Sequence, residues 1–176
     1  METAIVLPML LMLAIGLTEI AMLVIDQMAV ANAAREGARV GAAAGQYTSG
    51  SIDADDLILR SVEQAACHID NGKLVRVTIY EADAAGDLPA DLSKVNAYAA
   101  PISGSLNCTA SGSTTLTCET SCPWLPANRN NAMPTPANLG VLVEFEHNPV
   151  TGLFPFVSTL SLSDRAVMRI EPNTRG

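Results

Sequence analysis

No lysine, arginine or histidine stands between Met1 and Ala34, and the 176-residue chain holds no basic cluster elsewhere. At a net charge of −8, that absence excludes a nucleic-acid partner, because affinity for phosphate backbones comes from grouped Lys and Arg side chains. It also excludes an ordinary secretory signal peptide, which opens on a basic region and closes a short apolar core with a small-residue cleavage site. Aromatic residues make up only 4% of the chain, and the first is Tyr47. The only histidines, His68 and His147, stand in no recognisable catalytic spacing, and they read as a helix-end residue and an exposed strand-end residue. There is no Gly-x-Ser-x-Gly elbow and no phosphate-binding glycine loop. Asp53, Asp55 and Asp56, like Asp83, Asp87 and Asp91, lack calcium-loop spacing and read as a helix cap and a solvated loop. The expectation is a chain that is not an enzyme, with no catalytic residue, no cofactor and no metal.

In place of charge the chain opens on METAIVLPMLLMLAIGLTEIAMLVI, interrupted from Ala4 to Ile25 only by Pro8, Gly16, Thr18 and Glu19. About 20 apolar residues cross the hydrocarbon core as a helix, so the length predicts a membrane-spanning segment. The orientation signals conflict. Arg35, the first basic residue, would draw the downstream chain to the cytoplasmic side. Cys67, Cys108, Cys118 and Cys122, an even number in a Ser/Thr/Pro-rich domain, suit an oxidising compartment. The cysteines outweigh the single charge, and a basic leader ahead of Met1 is the expected source of the missing positive end.

Two carboxylates, Glu2 and Glu19, stand in this apolar run. An ionised carboxylate is costly to bury unless paired or neutralised, and the one cation that identical chains bring to that depth is an α-amino group. Pairing of that kind would recruit subunits in register. The alternative for Glu2 is a place in the headgroup region or at the positive helix end. For Glu19 it is a protonated carboxyl hydrogen-bonded to a backbone carbonyl. The helical pattern continues through alanine-rich sequence to Gly45, giving a helix on the order of 65 Å. Ala29, Ala33, Gly37, Gly41 and Gly45 recur every fourth residue, with Ala34, Ala38 and Ala42 beside them. Such a stripe lets another backbone approach closely, either the chain's own sheet or a neighbouring subunit, on the same or different faces.

These features divide the chain into an N-terminal helix over 1–46 and an exported domain over 47–176, and about 130 residues suffice for one hydrophobic core. SIDADDLILRSVEQAACHID predicts a second helix, capped by Ser51 or Asp53, with Leu57, Ile58, Val62 and Ala65 on its apolar face. KLVRVTIYE alternates as a strand with Val75, Val77 and Ile79 toward the core. Residues 82–104 read as a loop with one short helical turn. An insert near 105–124 resembles a small hairpin carrying Cys108 and Cys118 on opposite arms, and GVLVEFEHN and STLSLSDRAVMRIE supply two further strands. Without strand–helix alternation, the fold class is α+β: a long hydrophobic helix, then a second helix packed on an antiparallel sheet. Four cysteines permit three pairings; the preference is Cys108 with Cys118 and Cys67 with Cys122. A zinc site from Cys108, Cys118, Cys122 and Cys67 or His68 competes, but only Cys118 and Cys122 have ligand-like spacing.

The segments ETAIVLP, GLTEI and NAAREGARVGAA resemble the N-terminal region of the tight-adherence (TadE-like) pilins, relatives of the type IV pilins. Glu2, Pro8, Glu19 and Arg35 to Arg39 match that family's pattern, although the family usually sets its first Glu several residues further in. VLVEFEHNPVTGLFPF and the Ala166 to Glu171 element resemble its closing strands. The resemblance implies a pilin-like subunit, major or minor, held in the cytoplasmic membrane, released from a short basic leader and delivered to an extracellular pilus. Its implied partners are copies of itself, other pilins, the inner-membrane assembly machinery and, before assembly, the membrane. The assembly residues expected on these grounds are Glu2, Glu19, Ala29, Ala33, Gly37 and Gly41. The alternative is a bitopic membrane protein whose exported domain binds a partner and never polymerises.

Overall fold

The computed structural model describes residues 2–67, 69, 72–101, 106, 108, 114–149 and 159–172, with side chains from Val6 onward. A single helix, α1 (Glu2–Ala44), runs the length the sequence predicts. It stops where Gly45 takes a left-handed φ of 54° and its N–H donates to the Gly41 carbonyl at 2.9 Å, a backbone turn that glycine adopts without steric cost. A two-residue ribbon, β1 (Thr48–Ser49) paired with β2 (Ile52–Asp53), leads into α2 (Ala54–Ala66). Asp53 is the cap: it accepts from the Asp56 N–H at 3.0 Å while its own N–H donates to Asp56 at 3.1 Å. That reciprocal pair satisfies two helix-end donors and contributes about 1 kcal/mol.

The main sheet is five-stranded and antiparallel, in the order β5-β4-β3-β6-β7, formed by β3 (Gly72–Glu81), β4 (Val95–Ala99), β5 (Thr117–Cys118), β6 (Asn138–His147) and β7 (Leu160–Arg169). The second half of α1 and α2 cover one face, and the core closes between them through Val30, Ala34, Ile58, Val62, Val77, Ile79, Val141 and Phe145. The α+β architecture read from the sequence is therefore the observed one.

Local details differ, each for a physical reason. The buried side of α2 carries Ile58, Leu59, Val62 and Ala66, whereas Leu57 and Ala65 are half-buried, because this helix is covered both by α1 and by the insert. In β3 a register shift between Leu74 and Arg76 slips one residue against β6, so Leu74 joins Val77 and Ile79 in the core and Val75 is left half-buried. The stretch read as a loop holds its helical turn at Leu92–Lys94 but also β4, whose VNAYA sequence alternates too weakly to announce a strand. The hairpin expected between Cys108 and Cys118 is corrected: β5 pairs with the edge of β4, Tyr98 opposite Cys118. The expected turn at Ala110–Ser113 lies outside the described residues.

On the outer face, Tyr80 is fully buried beneath the 82–91 loop, its hydroxyl donating to the Gly86 carbonyl at 3.2 Å. Gly140, its partner across the strands, leaves the space that the ring occupies, since a Cβ there would overlap the ring carbons. Gly140→Ala is therefore expected to cost roughly 1–3 kcal/mol by overpacking, read as a lowered midpoint of chemical unfolding and a changed near-ultraviolet tyrosine signal.

Candidate membrane and assembly interface

The first half of α1 stands clear of the domain. Leu7, Met9, Leu10, Met12 and Leu13 lie on every side of the helix and all are more than half exposed. The helix is long and apolar enough to cross a membrane. An apolar surface continuous around a helix is suited to hydrocarbon or to other helices, not to water. Glu2 lies in this helix, but its side chain is outside the described residues.

The domain begins to cover α1 at Glu19. That side chain is 8% exposed although Leu17 is 68% and Ile20 59% exposed. Glu19 is thus seated against its own domain and does not face outward from the apolar run. One turn beyond, Met22 and Leu23 are half-buried on the same side. Asp26 comes next, 4% exposed, with its Oδ2 2.5 Å from Nδ1 of His147, itself 3% exposed. The expectation that His147 is an exposed strand-end residue is overturned: it closes the alternating inward row Leu139, Val141, Val143, Phe145 and ties the end of β6 to α1. Gln27 adds a bond from Nε2 to the Ser163 carbonyl at 3.3 Å. His68 lies outside the described residues.

The small-residue stripe is committed within the chain. Ala33 is fully buried, a Cβ on Gly37 would stand 2.7 Å from Val62 Cγ2, and one on Gly41 would stand 2.8 Å from both Ile58 Cδ1 and Leu139 Cδ2. Ala33, Gly37 and Gly41 therefore seat α2 and the sheet on α1, one of the two uses that the stripe allows. Ala29 is half-buried at the margin. The outward side of α1 carries Val24, Ile25, Met28, Arg35 and Arg39, with Arg39 bonded to Glu36 at 2.5 Å.

A polar node fixes the far side of α2. Asp55, read as part of a helix cap, is buried: it accepts from Arg129, from Asn96 Nδ2 at 2.8 Å and from the Tyr98 hydroxyl at 2.7 Å. Arg129 is 1% exposed and lies 4.5 Å over the Trp124 ring. Asn96 also bonds the Trp124 backbone in both directions at 2.9 Å. Lower on α2, the buried Glu63 accepts from the Thr115 N–H at 2.9 Å and from its hydroxyl. The node and Glu63 together hold residues 114–129 against α2.

The four cysteines form two disulfides, Cys67–Cys108 and Cys118–Cys122, so the expected pairing of Cys108 with Cys118 and Cys67 with Cys122 is corrected. Cys118 is drawn away by β5, which pairs with β4, while Cys108 sits at the end of α2 with its Cα 5.8 Å from that of Cys67. Among the described residues no group of three His, Cys, Asp or Glu side chains is placed to hold a metal.

Burial, with Asp55 beside it, pushes the Tyr98 hydroxyl well above the usual tyrosine range, and burial raises Tyr80 as well. The folded state resists losing these protons and the unfolded chain does not. Their stabilising contribution is thus complete below pH ~10 and falls as pH climbs above it toward the folded-state values. Unfolding midpoints measured between about pH 9 and 11 should decline, and Tyr98→Phe should flatten that decline.

Comparison with known protein families matches residues 1–39 to the family described as TadE-like protein. No curated protein and no solved structure matches the chain. The family match covers the block carrying Glu2, Pro8, Glu19 and Arg35 to Arg39, the first of the two blocks in which the sequence resembles these pilins.

Proposed function

Because residues 1–39 are TadE-like, we propose that this chain is a structural subunit, major or minor, of an extracellular tight-adherence pilus. It waits in the cytoplasmic membrane on the first half of α1 and is then transferred, by the inner-membrane assembly machinery, into a filament with copies of itself and other pilins. The observation that carries this reading is the all-round apolar exposure of α1 from Val6 to Leu17, beside a domain whose own core is complete without it. Lipid covers such a surface in the membrane, and neighbouring helices cover it in a filament. The chain contributes packing surfaces and no catalysis. Inside the filament the contact belongs to the exposed side of α1, since Ala33, Gly37 and Gly41 are occupied by the chain's own domain.

A photo-crosslinking residue at Leu17, 68% exposed, separates this reading from that of a bitopic anchor. On a subunit it should trap covalent dimers of this chain in material sheared from cells. Adducts confined to the membrane fraction, with none between copies, would leave the anchor as the better account.

A further inference from the structure

We propose that the foot of the domain, at Leu160 and the strand ends beside it, lodges in the lipid headgroup layer of the membrane that α1 crosses. This rests on the membrane-anchored state in the proposed function and is independent of polymerisation.

The argument is one of levels along α1. Glu2 and Glu19 bracket roughly 25 Å of helix at ~1.5 Å per residue, somewhat less than the ~30 Å of a hydrocarbon core. Glu19 is also where the domain begins, for its side chain is buried while Leu17 and Ile20 are exposed. On the opposite side of the helix the apolar surface does not stop there. Ile20, Val24, Ile25 and Met28 remain between 52% and 62% exposed. They carry lipid-compatible surface about 13 Å past Glu19. Membrane that covers this outward side therefore reaches the level at which the domain already flanks the inward side.

Strand β7 fixes which part of the domain meets it. It runs in the direction of α1, because Gln27 bonds the Ser163 carbonyl at 3.3 Å and the Glu171 N–H donates to the Ala42 carbonyl at 2.9 Å. Leu160, three residues before Ser163, is then about 10 Å nearer the apolar end, level with Glu19 to Leu23. It is 39% exposed and stands opposite His147 in register, next to the Asp26 contact. Each headgroup layer is roughly 5–8 Å deep, so a domain edge at that level lies within it.

Full-length protein carrying Leu160→Trp, reconstituted in phosphatidylethanolamine–phosphatidylglycerol vesicles with brominated acyl chains, tests this. Trp124, 4% exposed inside the domain, gives a constant background. Leu13→Trp, 57% exposed within the apolar span, serves as the reference in lipid and Leu92→Trp, 71% exposed at the other end of the sheet, as the reference in water. The expected result is that Leu160→Trp loses fluorescence, though less than Leu13→Trp, while Leu92→Trp does not. Quenching at Leu13 without quenching at Leu160 would overturn the proposal and leave the anchor intact. Loss of quenching at both would overturn the membrane reading itself. If Leu160→Trp fails to fold, Ser161→Trp, exposed at the next position, carries the same test.

Discussion

Asp55→Ala is expected to destabilise the domain by about 3–5 kcal/mol, the usual cost of leaving one member of a buried ion pair without its partner. The Asp55 carboxylate is the acceptor on which Arg129, Asn96 and Tyr98 converge. Without it the guanidinium stays desolvated, and its Nε and Nη1 already have no hydrogen-bond partner among the described residues. Three elements lose their common contact at once: α2 through Asp55, β4 through Asn96 and Tyr98, and the Pro-rich segment through Trp124 and Arg129. Urea unfolding in detergent micelles, followed by Trp124 fluorescence, reads the loss directly. Pairing Asp55→Ala with Arg129→Met should recover much of it, since an apolar replacement of a whole buried pair is often neutral. A loss below about 1 kcal/mol for Asp55→Ala alone would mean that the node does not hold the domain together.

The second large effect is expected from the disulfides, and it is unequal. Cys67–Cys108 closes a separation of 41 residues and Cys118–Cys122 one of 4. In the chain-entropy account, removing the first costs about 4 kcal/mol and removing the second ~2 kcal/mol. The difference has a structural counterpart. Cys67 ends α2 and Cys108 opens the insert, so their bond shortens the excursion before Thr115 meets Glu63. The other ring encloses Glu119, which bonds Arg76 at 2.8 Å on the outer face of the sheet, a contact exposed to water and weak. Cys67→Ser with Cys108→Ser should therefore lower the unfolding midpoint clearly more than Cys118→Ser with Cys122→Ser. Equal losses, or the reverse order, would contradict the pairing and its role. Peptide mapping of the unreduced protein checks the connectivity itself.

Residues whose role depends on periodicity are legible in the sequence itself. The apolar run and the alanine-rich continuation predict a helix to Gly45, and α1 ends one residue short of it. Period-2 alternation predicts β3, β6 and β7, and the Asp53 cap comes from residue type and position. Continued by one step, the alternation Leu139, Val141, Val143, Phe145 would have placed His147 inward, and a count of seven back from Ala33 on the buried side of α1 reaches Asp26. The signal for that contact is present in each element, but not the fact that the two elements meet. Asp55 with Arg129 cannot be read in this way. They are 74 residues apart, and the partly exposed Asp53 and Asp56 beside Asp55 make all three look like a helix cap. The stripe at Ala33, Gly37 and Gly41 announces close packing but not the partner, because a small side chain fits an intramolecular sheet and a neighbouring helix equally well. Cysteine pairing is misread for a related reason. A local hairpin suggests it, while β5 is recruited by the distant edge of β4.

The composition of sheared surface filaments tests the central claim most directly. Filaments detached from intact cells should contain this chain, identified by mass spectrometry with both disulfides closed, and cells lacking it should yield fewer filaments or none. Its confinement to the membrane fraction, with filament yield and composition unchanged when it is deleted, would contradict a structural subunit and leave a membrane-anchored domain that does not polymerise.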